Sequence, residues 1–411
     1  MHNDEPTILR SSTSADFLAT LPTLIGRTVT DSLVVLPFAG KRTQGVLRID
    51  LPPAGADAHI HDRLASVALG AMSRIDWCDG VMFAVYTDET FPVAYAGHER
   101  LIARLEERFE EAGFRVKDAY CVAGDGWASW YEDDSPFDGH ALEEIAASPM
   151  AATAAELRKG AELRAHDGAA TLPAPDPQTA IDLTLAVDDV LAGVESNAFG
   201  IPVPAALPDS VDFVEALLRR DAADTPVRLL AQLTALSLQR PHRDEMMLQM
   251  AFGRKVGRRA RDESERWLAK QAASGRSMDE VVRAEFEASG GSESEMGDLL
   301  LGECSTQPRP ARIDRAIGIL RRTITHLPID LRPDLLCMLA WLNWTMGSSS
   351  IAAAHIGAAL AIDPGHGMAH ILHTLVTVGK IPQWIFARYN RAGAALQRHT
   401  ATEPTPAAIG R

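Results

Sequence analysis

Three histidines offer the most explicit chemistry in the chain. His366, His370 and His373 follow Pro364 at spacings that put them on one face of a helix, and Asp363 stands just before the first. Two imidazoles four residues apart on a helix can ligate zinc. The stretch has no H-E-x-x-H, and two exposed histidines beside one packed histidine account for the same spacing. A second concentration lies between Asp125 and Glu144, where Asp125, Glu132, Asp133, Asp134, Asp138, Glu143 and Glu144 accompany Trp127, Trp130 and Tyr131 without one Lys or Arg. Carboxylates beside aromatic faces can hold a divalent cation or a cationic ligand. A solvated acidic loop over core aromatics is the plainer account, and the D-x-D-x-D-G spacing of a calcium loop is missing.

Asp31 and Ser32 precede one apolar run, and Thr87, Asp88 and Glu89 follow another. Ligands of open α/β sheets bind beyond the carboxyl ends of parallel strands, which makes Asp88 and Glu89 the better placed pair; Asp31, Ser32, Trp127 and Trp130 complete the candidate ligand-binding set. Turn formation and helix starts explain the same residue types. The run RKVGRRAR places Arg254, Lys255, Arg258, Arg259 and Arg261 within eight positions, a candidate contact for an acidic partner or for nucleic acid. DESE follows at once, so helical pairs Arg258–Asp262 and Arg261–Glu265 would neutralise much of that charge. The dinucleotide, P-loop and nucleophile-elbow signatures are missing, no cofactor is expected, and the catalytic set is empty.

These residues need elements to position them. At 411 residues, and roughly 150 per domain, two or three domains are expected. Residues 1–150 hold 24 acidic against 12 basic side chains, a balance that repels phosphate backbones and ranks nucleic acid behind protein as a partner. Cys78, Cys121, Cys304 and Cys337 are scattered among apolar neighbours, as buried free thiols of a reducing compartment would be. The N-terminus has no apolar targeting core and no run approaches the ~18 apolar residues of a membrane span, so a cytoplasmic location is expected.

DSLVVLPF and GVLRIDLP predict two strands around a turn, with Val46, Arg48 and Asp50 on a polar face. Residues 62–75 predict a helix, GVMFAVYTD a strand covered on both faces, 98–112 a helix stopped by Gly113, and FRVKDAYCV a strand entering a hairpin at Gly124-Asp125-Gly126. Before them, Ser14 caps a short helix ended by Pro22. Helical periods recur at 178–194, 209–238, 241–252, 259–273, 278–303 and 311–326, with Pro202, Pro204 and Pro208 marking a loop and no strand expected after the linker. Two helices, PDLLCMLAWLNWTMG and IAAAHIGAALAIDP, then read as a hairpin: Ala352, Ala359 and Pro364 stand 5, 12 and 17 positions after Gly347. That spacing resembles one tetratricopeptide repeat.

Spread over nearly the whole chain, LPTLIG, DSLVVLPF, VLRIDLP, GDGWASW, SPMAATAA, the Arg243-Asp244 pair, LLCMLAWLNWTMG and ALAIDPGHGMAHIL resemble, in order, the actinobacterial family called domain of unknown function 4192. Family members often carry cysteines just after the Trp-rich segment, and YEDDSPFDG has none, so no metal role for such cysteines transfers. The resemblance carries no activity.

The reading is an α+β or α/β N-terminal domain with a mixed sheet over 1–150, a helix and linker over 151–178, an all-α domain with tetratricopeptide-like hairpin packing over 179–392, and a disordered tail over 393–411. A non-enzymatic module binding protein or peptide through its helical half is expected. The alternative is a small-ligand-binding protein or enzyme acting at the strand ends of the first domain.

Overall fold

Ser32 to Phe38 is buried without interruption, as a strand at the centre of a covered sheet must be. The computed structural model describes residues 11–25, 29–43, 45–158, 170–196, 202–204, 208–288 and 294–391. Its contacts divide the chain into two units, Met1–Ala169 with Phe386–Arg411, and Ala170–Ile385. The tail expected to be disordered, 393–411, lies outside the described residues.

In the first unit β1 (Ser32–Ala39) pairs antiparallel with β2 (Arg42–Thr43) and β3 (Leu47–Asp50) along one edge and with β4 (Gly80–Tyr86) along the other. β4 runs parallel to β5 (Arg115–Val122), and β6 (Trp127–Ser129) returns antiparallel to β5. The sheet is therefore mixed, with six strands. Side-chain alternation divides its core. Val34, Leu36, Phe38, Ala84, Tyr86, Tyr120 and Trp127 cluster with Leu18 and Leu21 of α1 (Ser14–Ile25). Phe83 meets Phe109 of α3 (Phe91–Glu111) edge to face, with ring centroids 5.3 Å apart. Between β3 and β4 stands α2 (Ala58–Met72), which packs on α3.

Several boundaries differ from expectation for local reasons. The cap of α1 is Thr13 rather than Ser14: Thr13 Oγ1 accepts from Asp16 N at 3.1 Å, and the Asp16 carboxylate accepts from Thr13 N at 3.3 Å, a reciprocal box. Pro22 does not end that helix, which runs on to Ile25. Arg48 does not face water from its strand; its side chain is 5 % exposed, donates from Nε to Ser32 Oγ at 2.7 Å, and pairs with Asp50 at 3.0 Å. The first unit is completed by residues 386–391, where Tyr389 Oη donates to Val46 O at 3.1 Å and Trp77 Nε1 donates to Tyr389 O at 3.0 Å.

Asp16 also accepts from Ser12 Oγ and Ser148 Oγ, both at 2.7 Å, and these bonds hold its carboxyl down at about 2. A depressed carboxyl contributes stability that is present above its unfolded value and is lost as pH falls toward the folded one. An acid titration of the chain by circular dichroism therefore carries an Asp16 component between about 3.8 and about 2. Asp16→Asn is expected to flatten that interval; an unchanged profile would show that these bonds do not differ between folded and unfolded states.

After β6 the first unit adds α4 (Leu142–Ala146) and α5 (Pro149–Arg158). The second unit is helical: α6 (Pro177–Ala192), α7 (Ser210–Leu217), α8 (Val227–Ser237), α9 (Arg240–Phe252), α10 (Arg254–Ser274), α11 (Met278–Ala288), α12 (Glu295–Leu301), α13 (Pro310–His326), α14 (Pro333–Thr345), α15 (Ser349–Ile362) and α16 (Gly367–Thr377). It also contains two short strands where only a loop was expected. β7 (Val194–Ser196) pairs antiparallel with β8 (Pro202–Pro204), a two-stranded ribbon in which prolines are tolerated because an edge need not donate on both sides. Helix α14 is apolar all round and buried from Leu335 to Thr345, so it is a core helix around which others pack. α15 folds back on it through the turn at Gly347 (φ +81°), and α16 packs on both.

Candidate functional site

At the carboxyl end of β4 the structure gathers part of the predicted ligand set. Asp31 adopts a left-handed backbone (φ 39°), accepts from Thr87 Oγ1 at 3.1 Å, and its carbonyl accepts from Leu51 N at 2.9 Å. Ser32 Oγ donates to Thr30 O and receives Arg48. Asp88 and Glu89 are exposed in the turn before α3, and Glu89 O accepts from Gly124 N at 2.9 Å. A Cβ on Gly124 would lie 2.8 Å from Asp88 O, so the two turns are pressed together. Asp125 accepts from Phe91 N at 2.7 Å and thereby satisfies the first turn of α3. The tryptophans face elsewhere: Trp127 is buried and donates to Ala141 O at 3.2 Å, and Trp130 stacks on Tyr95 at 5.0 Å. Asp31, Asp88 and Glu89 are thus neighbours through turn chemistry, while Trp127 and Trp130 serve the core.

The acidic loop spreads its carboxylates apart. Glu132 meets His140 Nε2 at 2.9 Å, Asp125 caps α3, and Asp133, Asp134, Asp138, Glu143 and Glu144 are exposed. Among the described residues no group of three or more His, Cys, Asp or Glu is arranged to hold a metal ion. In the basic run, Arg254 pairs with Asp212, Arg259 with Glu295, and Arg261 with Asp209 and, at 3.2 Å, with Glu265. Lys255 and Arg258 are exposed.

The three histidines do not converge. His370 Nε2 bonds Pro364 O at 2.8 Å, His373 is exposed, and His366 turns inward. His366 caps α16: its Nδ1 accepts from Ala369 N at 3.2 Å. That acceptor role leaves the proton on Nε2, which donates to Asp334 Oδ1 at 3.2 Å. Arg243 Nη1 reaches the same Asp334 oxygen at 2.7 Å, and its Nε reaches Asp244 at 2.9 Å. The Cys337 Sγ lies 3.5 Å from His366 Nδ1. Five side chains from α9, α14 and the cap of α16 thus form one network.

Burial alone would raise Asp334, but hydrogen bonds from His366 and Arg243 outweigh it and hold the carboxyl below its usual range. For Asp244 burial wins over the attraction of Arg243, and its carboxyl is raised. Burial pushes the Cys337 thiol up to about 12. The order Cys, His, Asp is that of a nucleophilic triad, yet the thiol is fully buried and held protonated, so the group donates S–H instead of attacking. Chemically the arrangement is a closed polar clamp. Sequence reasoning had Arg243-Asp244 and the D-P-G-H run in view as separate pieces, but nothing in their spacing joined them.

Fold and site together define a protein of two units, a mixed α/β sheet unit and a helical stack clamped around one buried arginine. The chain belongs to the family described as Domain of unknown function (DUF4192), whose model matches residues 15–269 and 253–383. No curated protein and no solved structure matches it.

Proposed function

We propose that this chain is a non-enzymatic, cytoplasmic module that binds protein or peptide through its helical unit. The carrying observation is the outer face of α16 together with its C-cap residue, Val378. Ile371 is 53 % and Val378 64 % exposed, Thr374 is exposed and Leu375 half-buried between them, all within two turns and without a charge. The opposite face, with Ala369 and Leu372, is buried against the stack. Such an uncharged ridge complements the apolar face of an amphipathic helix, recognised at successive turns. Four free thiols suit the reducing compartment, and among the described residues no helix is long and apolar enough to cross a membrane. The closed turns around Asp31, Asp88 and Glu89 and the protonated Cys337 weigh against the alternative of an enzyme or a small-ligand site.

The test is cross-linking in the native extract with the whole chain, comparing the parent with Ile371→Glu/Val378→Glu. Two exposed positions tolerate charge, so folding is expected to be retained, and a charge opposite an apolar partner should reduce the captured partner at least about tenfold. Equal capture by both proteins would remove α16 as the binding face.

A further inference from the structure

Two histidines that the sequence left unremarked as a pair lie on the two helices that pack together as α2 and α3. His61 of α2 is 4 % exposed and His98 of α3 is 2 % exposed, although each is the residue type whose charge changes near neutrality. The loop that leads into α2 is pressed against α3. A Cβ on Gly97 would lie 2.6 Å from Ala54 Cβ, and Gly55 N donates to Gly97 O at 3.1 Å. We propose that His61 and His98 form a proton-operated latch, in which neutral imidazoles keep α2 seated on α3 and acidification releases it.

The charges around the pair argue for release over accommodation. His61 faces Asp57 and Asp62 of the α2 start and Arg100 of α3; His98 faces Glu89 and His61. Asp62 is already engaged by Arg104, and Asp57 and Glu89 are exposed, so none is a dedicated buried counter-ion. Two imidazoliums would oppose each other, and His61 would also oppose Arg100. Burial accordingly lowers both imidazoles below their ordinary value, with the nearby carboxylates offsetting part of that effect. The sign follows: a histidine depressed in the folded state stabilises above its unfolded value, and that stability disappears as pH falls through the folded one. Moving α2 away lets both rings hydrate and uncovers Leu64, Ala65 and Ala68, which are buried in the closed state.

The whole chain supports two readouts. Amide hydrogen exchange of residues 58–72, corrected for intrinsic rate, should accelerate below pH 6 by up to about tenfold per pH unit for each proton taken up. Residues 80–86 of β4 should lag behind, and His61→Gln/His98→Gln should abolish the acceleration. Proton NMR of the two imidazoles in the parent chain should show both titrating below about 6.5. Titration of either ring at or above that value overturns the latch, as does a double variant that keeps the acceleration. If the double variant does not fold, the titration of the parent decides alone.

Discussion

Arg243→Met should cost the helical unit about 3 kcal/mol, near the lower end of what removing one partner from a buried ion pair does. The arginine side chain is 6 % exposed and holds Asp244 at 2.9 Å and Asp334 at 2.7 Å. Methionine fills a similar volume, so the loss is electrostatic: two partly buried carboxylates lose their shared cation, and Asp334 keeps only His366. The value stays near 3 because Asp244 and Asp334 retain some water. Hydrogen exchange of residues 333–345 reads the effect, since about 3 kcal/mol is roughly a hundredfold loss of protection where exchange follows opening. Adding Asp334→Leu should recover part of the loss by removing an orphaned charge, which a purely steric role for Arg243 would not produce. A single-variant cost below about 1 kcal/mol would show the network to be effectively solvated.

Much of the architecture was legible because its signals are local. The apolar runs at 32–38 and 80–86 read as strands, the second as one covered on both faces, and Gly124-Asp125-Gly126 does connect β5 to β6. The missed pieces share a physical cause. The first two turns of α3 carry Pro92 and Gly97, which weaken a helical pattern; here Pro92 stands in the first turn and Gly97 makes room for Ala54. The ribbon at 194–204 is written in prolines, which argue against a strand until an edge position is known. Longer-range facts left no trace at all. Arg243 and Asp334 are 91 residues apart, and Tyr389 meets Val46 across 343. The candidate strand-end residues were found as neighbours because topology brings strand ends together whatever their role. The polar clamp was not, because hydrogen-bond partners on different helices obey no period.

Trp384→Ala should be the most damaging single change in the helical unit, at about 4 kcal/mol, within the range for deleting a buried tryptophan. Its ring meets Phe252 edge to face at 5.4 Å and Trp344 at 6.1 Å, and is 1 % exposed. Its Nε1 donates to Thr345 O at 2.9 Å, capping the C-terminal carbonyls of α14. Trp344 in turn donates to Lys380 O at 2.8 Å, and Trp341 to Leu300 O at 2.9 Å, so each indole ties the core helix to a separate segment. Alanine removes the ring, leaves a cavity between two aromatics and strands a buried carbonyl. Phenylalanine keeps most of the volume and loses only the donor, which should cost about 1–2 kcal/mol. Urea unfolding of the two variants separates the terms, and their difference measures the packing. A Trp384→Phe loss as large as that of Trp384→Ala would assign the effect to the Thr345 bond and leave the aromatic cluster a minor contributor. The face proposed for partners depends on this core, because α16 stands on α14 and α15. Trp384→Ala should therefore weaken partner capture through lost stability, and Ile371→Glu/Val378→Glu should weaken it with the unfolding midpoint unchanged.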